Sequence, residues 1–265
     1  LANKKSNFTA KGFEMSYKSK EIRKLIIDAA HHANHGHIPS ALSIVEIILA
    51  YDKVNQGEDI FILSKGHGCL AYYSYLTYKN IITKDELRKF GKSGSKLGGH
   101  PDRNKLKEIY ASTGSLGHGL PIALGIALSR KIQNKSGKVF CLIGDGEANE
   151  GSVWESFMIA SKHKLDNLVC IIDNNNSQIR SLPSESLSNK LLHFGWNVWN
   201  VDGHDTKMLS RAIIDYDEEC RPTIVIADTI KGKGISEIEN DIFAWHHRAP
   251  SDDEYRRFIE EINEK

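Results

Sequence analysis

At 265 residues, with 40% hydrophobic and 26% charged side chains, the chain carries enough apolar material for a sizeable core and is not a disordered polymer. Its 35 Lys and Arg nearly cancel its 34 Asp and Glu, which removes any electrostatic case for nucleic acid or an anionic membrane surface. No apolar run approaches the roughly 20 residues needed to span a bilayer, and the lysine-bearing stretch from Leu1 to Lys20 lacks the apolar segment of a secretory signal.

Short apolar runs alternate with longer helical patterns, and that alternation predicts an α/β fold with a parallel sheet covered by helices. In chain order, helical patterns at Glu21–His32 and Ala41–Tyr51 precede a strand at Ile60–Leu63. A helix at Cys69–Leu76 and a Gly/Ser/Lys loop at Gly91–Gly99 follow, the loop too polar to pack and expected to border a site. Next comes an apolar helix at Gly117–Lys131, buried nearly all round, whose small residues suggest close packing against a neighbour. Strands at Lys138–Ile143 and Leu168–Asp173 flank a helix at Gly151–His163. A strand at Trp196–Val201, a helix at Met208–Asp215 and a strand at Thr223–Ala227 complete the sheet. Lys231-Gly232-Lys233-Gly234 reads as a solvated turn, and the amphipathic Asp252–Ile262 as a solvated helix. Residues 1–19 read as an arm and 20–265 as one domain. The four cysteines form no Cys-x-x-Cys pair; Cys141 and Cys170 sit in strand-like runs as small core residues, which fits a reducing, cytoplasmic compartment.

In open parallel sheets ligands bind beyond the carboxyl ends of the strands, and that is where the informative residues fall. Gly144-Asp145-Gly146-Glu147 follows one strand, and Asp173-Asn174-Asn175-Asn176 follows the next. Asp145 and Asn175 are 30 residues apart, the span of one helix and one strand, so a βαβ unit brings both to the same edge. A hard cation such as Mg²⁺ takes a carboxylate and an amide oxygen, and glycines allow close approach of a phosphate to the backbone. Gly and Asp also favour strand-terminal turns for local reasons, so it is the pairing, rather than either motif alone, that points to a metal and a phosphate.

This paired pattern resembles the signature of thiamine diphosphate enzymes. The histidine blocks Gly36-His37, Ser64-Lys65-Gly66-His67, Gly98-Gly99-His100-Pro101, Ser112-Thr113-Gly114-Ser115-Leu116-Gly117-His118-Gly119 and Trp245-His246-His247-Arg248-Ala249-Pro250 resemble those of transketolases, in the same order. The resemblance covers residues 20 to 255 and only the N-terminal part of a full-length family member. It implies a fold of the diphosphate-binding type, with Asp145, Asn175 and the Ser177 carbonyl holding Mg²⁺ or Ca²⁺. It implies that His67, His246 and the Gly146 backbone contact the diphosphate, and that Gly114, Ser115 and Leu116 lie against the body of the cofactor. His37, His100 and His246 would line the channel for a sugar donor, and Glu150 matches a glutamate at the family's dimer interface. Histidine suits proton traffic at sugar oxygens near neutral pH, while the cofactor supplies the electron sink. Several positions depart from the common pattern: Ser115 stands where proline is usual, His118 where glutamine is, His247 where glycine often follows the histidine, and Arg180-Ser181 where many relatives have Asp-Gly, while the changed side chain of Ser177 leaves its carbonyl in place.

The implied activity is transfer of a two-carbon ketol unit from a ketose phosphate to an aldose phosphate. In the family a glutamate on a following pyrimidine-binding domain activates the cofactor, and only fifteen residues follow Pro250 here. The expectation is therefore a split enzyme or a fragment, completed either by homodimerisation or, in an α₂β₂ assembly, by a C-terminal subunit. Three alternatives stay open: the decarboxylating component of a 2-oxo acid dehydrogenase, a branch acting on a non-standard, sulfonated or deoxy sugar, and a non-catalytic paralogue.

Overall fold

The computed structural model describes residues 15–180, 187–215 and 217–265. Five strands, β1 (Ile60–Leu63), β2 (Val139–Gly144), β3 (Leu168–Asn174), β4 (Asn197–Asp202) and β5 (Thr223–Asp228), form one sheet in the order β1-β2-β3-β5-β4, every pair parallel. The five expected strands are all present, with ends within a residue or so of those read from the sequence. β1 and β2 are buried at every position, as continuous apolar runs in a parallel sheet must be when helices cover both faces.

Alternate side chains feed two separate cores. Phe61, Leu63, Phe140, Leu142, Val169 and Ile171 face one. It is closed by α1 (Tyr17–Ala33), α3 (Val45–Val54), α4 (Cys69–Tyr78), α9 (Thr206–Ile214) and α11 (Asp252–Glu264). Ile62, Cys141, Ile143, Cys170 and Ile172 face the other, under α6 (Gly119–Ile132) and α7 (Gly151–Lys162). Cys141 and Cys170 are register partners, both free, and burial holds their thiols well above the usual range.

The structure departs from the sequence reading in several places. The helix expected at Ala41–Tyr51 is broken into α2 (Ile38–Leu42) and α3 because the Ser43 hydroxyl turns inward, donating to Ser40 O at 3.1 Å and to Asp173 Oδ2 at 2.8 Å. The Gly91–Gly99 loop does pack: Leu97 is fully buried and its carbonyl accepts from Gly91 N at 2.8 Å. Outside it lies a cleft of about 720 Å³ bordered by His35, Lys92, Lys96 and Lys105. α11 is solvated on one face only. Phe258 and Ile262 are buried against the core, and Phe258 meets Trp245 edge-on at 5.2 Å. α6 is not buried all round, since Ile122 is 39% exposed on its outer face. The helices α5 (Lys84–Leu87), α8 (Leu187–His193) and α10 (Ser236–Asn240) are too short for an apolar period to announce them. Of the expected arm, residues 1–14 lie outside the described residues, and helix already runs from Tyr17.

Candidate functional site

All five strands deliver functional side chains at their carboxyl ends. At the centre is Asp173, the penultimate residue of β3, fully buried. Its carboxylate accepts from Ser43 Oγ and from Asn175 Nδ2 at 2.7 Å, from Thr229 Oγ1 beyond β5, and from the ammonium of Lys65 beyond β1. Burial works to raise the Asp173 pKa, but the Lys65 ammonium outweighs it and holds the carboxyl below the ordinary range. Both residues lie inside motifs the sequence singles out, but neither is given a role there; the structure shows this buried pair bracing three strand ends together.

Around it sit the oxygen donors expected to hold a metal. Asp145 N donates to Asp173 O at 3.1 Å, Ser177 N donates to Asn175 Oδ1 at 3.1 Å, and Gln178 N reaches Asp145 Oδ2 at 3.5 Å. Asp145, Asn175 and Ser177 are thus brought to one place. Burial and the nearby Asp173 charge raise the Asp145 pKa, and a divalent cation there would reverse that cost. A buried carboxylate, an amide oxygen and a main-chain carbonyl form a hard-donor set that fits Mg²⁺ or Ca²⁺.

Lys231 overturns the solvated-turn reading. It is only 8% exposed, its Nζ donates to Ser177 Oγ at 2.9 Å, and burial together with Lys65 lowers its pKa. The turn that carries it is anchored by His204, beyond β4. Ile230 N donates to His204 Nε2 at 2.8 Å, so Nδ1 must carry the proton that bonds Glu46 Oε2 at 3.0 Å. Burial tends to raise the Glu46 pKa, but Arg23 outweighs it; the Arg23 guanidinium pairs with both carboxylate oxygens, at 2.7 and 2.8 Å, and donates through Nε to Lys233 O at 2.8 Å.

Glu147 organises the loop that carries Gly114, Ser115 and Leu116. Its buried carboxylate accepts from Ser64 Oγ, from Gly117 N at 2.9 Å and from Gly144 N at 3.2 Å, while Ser64 Oγ accepts from Gly119 N at 3.1 Å. Gly117 has φ +80°, and a Cβ there would lie 2.7 Å from Glu150 Cβ, so no side chain fits. Ser115 and Leu116 are exposed on the outer side of this loop. Glu150, also exposed, begins α7 at the same rim, and Gly146 is exposed just beyond β2.

The histidines form the second half of the site. His37 lies 5.4 Å from His67, 4.8 Å from His246 and 4.0 Å from His247, measured between ring centroids. Burial, then His247 and His246, lower the His37 pKa to about 4. Burial and Lys65 hold His67 far below its ordinary value, and burial with Lys231 lowers His246. His100 stands at the edge of the group, its ring 3.3 Å from the position a Cβ on Gly114 would take. The segment that brings His246 and His247 in is clamped from behind. Trp245 is buried, Arg248 stacks on its ring at 4.2 Å, and Pro250 O lies 3.0 Å from His31 Nδ1. In the sequence His247 stands out only as a departure from pattern; its place in the cluster is a finding of the structure.

Oxygen donors gather at one end of this site and imidazoles at the other. The sequence model of the family described as transketolase, thiamine diphosphate binding domain, matches residues 16–260, so this chain belongs to the transketolase family. It is 37% identical to one subunit of an apulose-4-phosphate transketolase from Actinobacillus succinogenes, over 95% of this chain and 97% of that one. It is 31% identical to a 6-deoxy-6-sulfo-D-fructose transketolase subunit from a Clostridium species, over 95% and 97%. Human transketolase is 35% identical over 92% of this chain but only 41% of its own length. Among solved structures, the transketolase of Campylobacter jejuni superposes with a TM-score of 0.83 at 26% identity, covering 94% of this chain and 43% of that one.

Proposed function

We propose that this chain is the diphosphate-binding subunit of a split transketolase, working with thiamine diphosphate, a divalent cation and a separate pyrimidine-binding subunit. The observation that carries the reading is the convergence of Asp145, Asn175 and Ser177 beside Lys231, with His67, His37 and His246 across from them. Asp145, Asn175 and the Ser177 carbonyl hold Mg²⁺, and Lys231, His67 and the Gly146 amide face the diphosphate. Gly114, Ser115 and Leu116 support the ring system, with the loop held in place by Glu147. The cofactor, when bound, supplies the electron sink for breaking the bond between C2 and C3 of the donor. His37, His100 and His246 bind the donor's hydroxyls; at His37 and His246 burial disfavours the charged ring, which suits them to accept or return a proton at those oxygens.

The split assembly is supported by relatives that are themselves named as transketolase subunits and are matched over 94–97% of their length. The exposed apolar side chains of Leu116 before α6, Ile122 on α6 and Met158 on α7, 36–49% exposed, offer a surface suited to another chain. Glu150 lies at its rim, and the assembly is α₂β₂. The substrates are phosphorylated or otherwise anionic sugars; the branched and sulfonated sugars in the relatives' names favour a non-standard donor. All four cysteines are free, which favours a reducing compartment, and we assign the protein to the cytoplasm; among the described residues no helix is long and apolar enough to cross a membrane.

Titration calorimetry tests the core of the reading. Asp145→Ala should abolish Mg²⁺-dependent thiamine diphosphate binding while circular dichroism stays unchanged, and retained affinity would remove the metal assignment. Ketol transfer should appear only when the cognate pyrimidine-binding subunit is added; robust turnover by the purified chain alone would refute the split assembly.

A further inference from the structure

One group in the channel exceeds what sugar binding requires. A single ring nitrogen from each of His37, His246 and His247 lies within 4.8 Å of the other two, and among the described residues this is the one such group of three His, Cys, Asp or Glu side chains. No carboxylate belongs to it. Three imidazoles without an oxygen donor disfavour Mg²⁺ and Ca²⁺ and select borderline dications such as Zn²⁺, Co²⁺ and Ni²⁺. Nor is it the oxygen-donor set at Asp145, whose residues lie just beyond β2 and β3.

The geometry is close to what such an ion needs. Tetrahedral zinc with Zn–N bonds of about 2.0–2.1 Å holds its nitrogens about 3.3–3.4 Å apart. The rings must therefore draw in by roughly 1.5 Å from their 4.8 Å span. His246 and His247 are exposed, so rotation of their side chains supplies that movement without shifting the backbone. His37 is the fixed wall, and its Nδ1 is a buried polar atom left without a hydrogen-bond partner. Because His246 and His247 are exposed, water can complete the coordination. Against these stands the Lys231 ammonium, whose charge is felt at His37 and His246 and opposes any dication. The balance favours reversible binding over a permanent structural ion.

We propose that His37, His246 and His247 form a second, transition-metal site that accepts Zn²⁺ and related ions. Given the reading of His37 and His246 as donor contacts, an ion held there excludes the sugar and inhibits the enzyme. His247 is the residue that makes the site, since the other two are shared with the proposed channel.

The purified chain, with excess Mg²⁺ to fill the oxygen-donor site, is titrated with ZnCl₂ by calorimetry, and with CoCl₂ while visible absorption reports the ligand field. One equivalent of zinc should bind in the micromolar range. His247→Ala and His246→Ala should each weaken it by at least about tenfold, while His163→Ala, on the exposed end of α7, should match the native chain. Absence of binding up to millimolar zinc, or native affinity in His247→Ala, overturns the proposal. Because the titration needs neither cofactor nor turnover, its failure leaves the transferase reading standing, and the converse holds too.

Discussion

Replacing Lys65 with methionine isolates the energetics of the buried centre. Lys65 and Asp173 are both essentially without solvent exposure, so Lys65→Met strands a carboxylate in the interior. Breaking a buried pair by removing one partner costs about 3–5 kcal/mol. Three neutral donors remain on Asp173, from Ser43, Asn175 and Thr229, which places the loss near the lower end, about 3 kcal/mol. In a domain of this size that is a fall in Tm of roughly 6–12 °C. The pH dependence provides a sharper test. In the native chain the Asp173 pKa is lowered despite its burial, so its contribution is present above the unfolded value and lost on acidification. Without Lys65 burial is opposed only by the neutral donors Ser43, Asn175 and Thr229, and the pKa rises above the unfolded value, so the variant gains relative to native as pH falls from 7.5 towards 5. Urea unfolding followed by tryptophan fluorescence at several pH values measures this difference, in which titrations common to both chains cancel. Lys65→Met with Asp173→Asn should return to within about 1 kcal/mol of native. A loss under 1 kcal/mol, or a gap that widens on acidification, would show that the pair is not the brace described.

Two further outcomes follow from the same site. Because the folded state lowers the pKa of His37 to about 4, the unfolded chain binds more protons between pH 4 and 6.5, and stability must fall with pH across that window. Allowing for solvent screening, His37 contributes about 1 kcal/mol of that loss at pH 5, and His37→Asn should flatten the slope by that amount in denaturant titrations. Glu147→Gln keeps one acceptor oxygen but loses the charge that serves Ser64, Gly117 and Gly144, and should cost about 1–2 kcal/mol in thermal unfolding. An unchanged Tm there would mean that the Gly114–Leu116 loop is held by other contacts.

The sheet was legible because parallel strands covered on both faces must be apolar at every position, and Ile60–Leu63 and Leu168–Ile172 are. The convergence of Asp145 and Asn175 was legible for a related reason: residues just past two adjacent strands must meet, whatever the helices between them do. What escaped depends on contacts between distant segments. The break between α2 and α3 comes from a Ser43 hydroxyl drawn to a carboxylate 130 residues away. Lys231 lies among glycines, a local context that signals a solvated turn, and only its position against Ser177, 54 residues away, reveals a buried cation. Glu147 looked like part of a phosphate loop, whereas its carboxylate points back into the fold towards Ser64, 83 residues away. The histidine blocks were readable through family resemblance, but no spacing in the sequence foretold that His247 would turn towards His37.

The long excursion between β1 and β2 also dictates the order in which the molecule comes together. Ile60 pairs with Val139, nearly eighty residues on, whereas Val139 pairs with Leu168, only about thirty residues on. Closing the longer loop costs about 0.9 kcal/mol more entropy, a factor of about four in rate. Loop closure therefore favours the β2–α7–β3 unit forming ahead of β1, so that the edge carrying Asp145 and Asn175 exists before Ser64, Lys65 and His67 arrive to complete it. During synthesis the apolar Ile60–Leu63 run leaves the ribosome long before its partner strand. It waits unpaired, and that makes it the stretch of the nascent chain on which a chaperone would act.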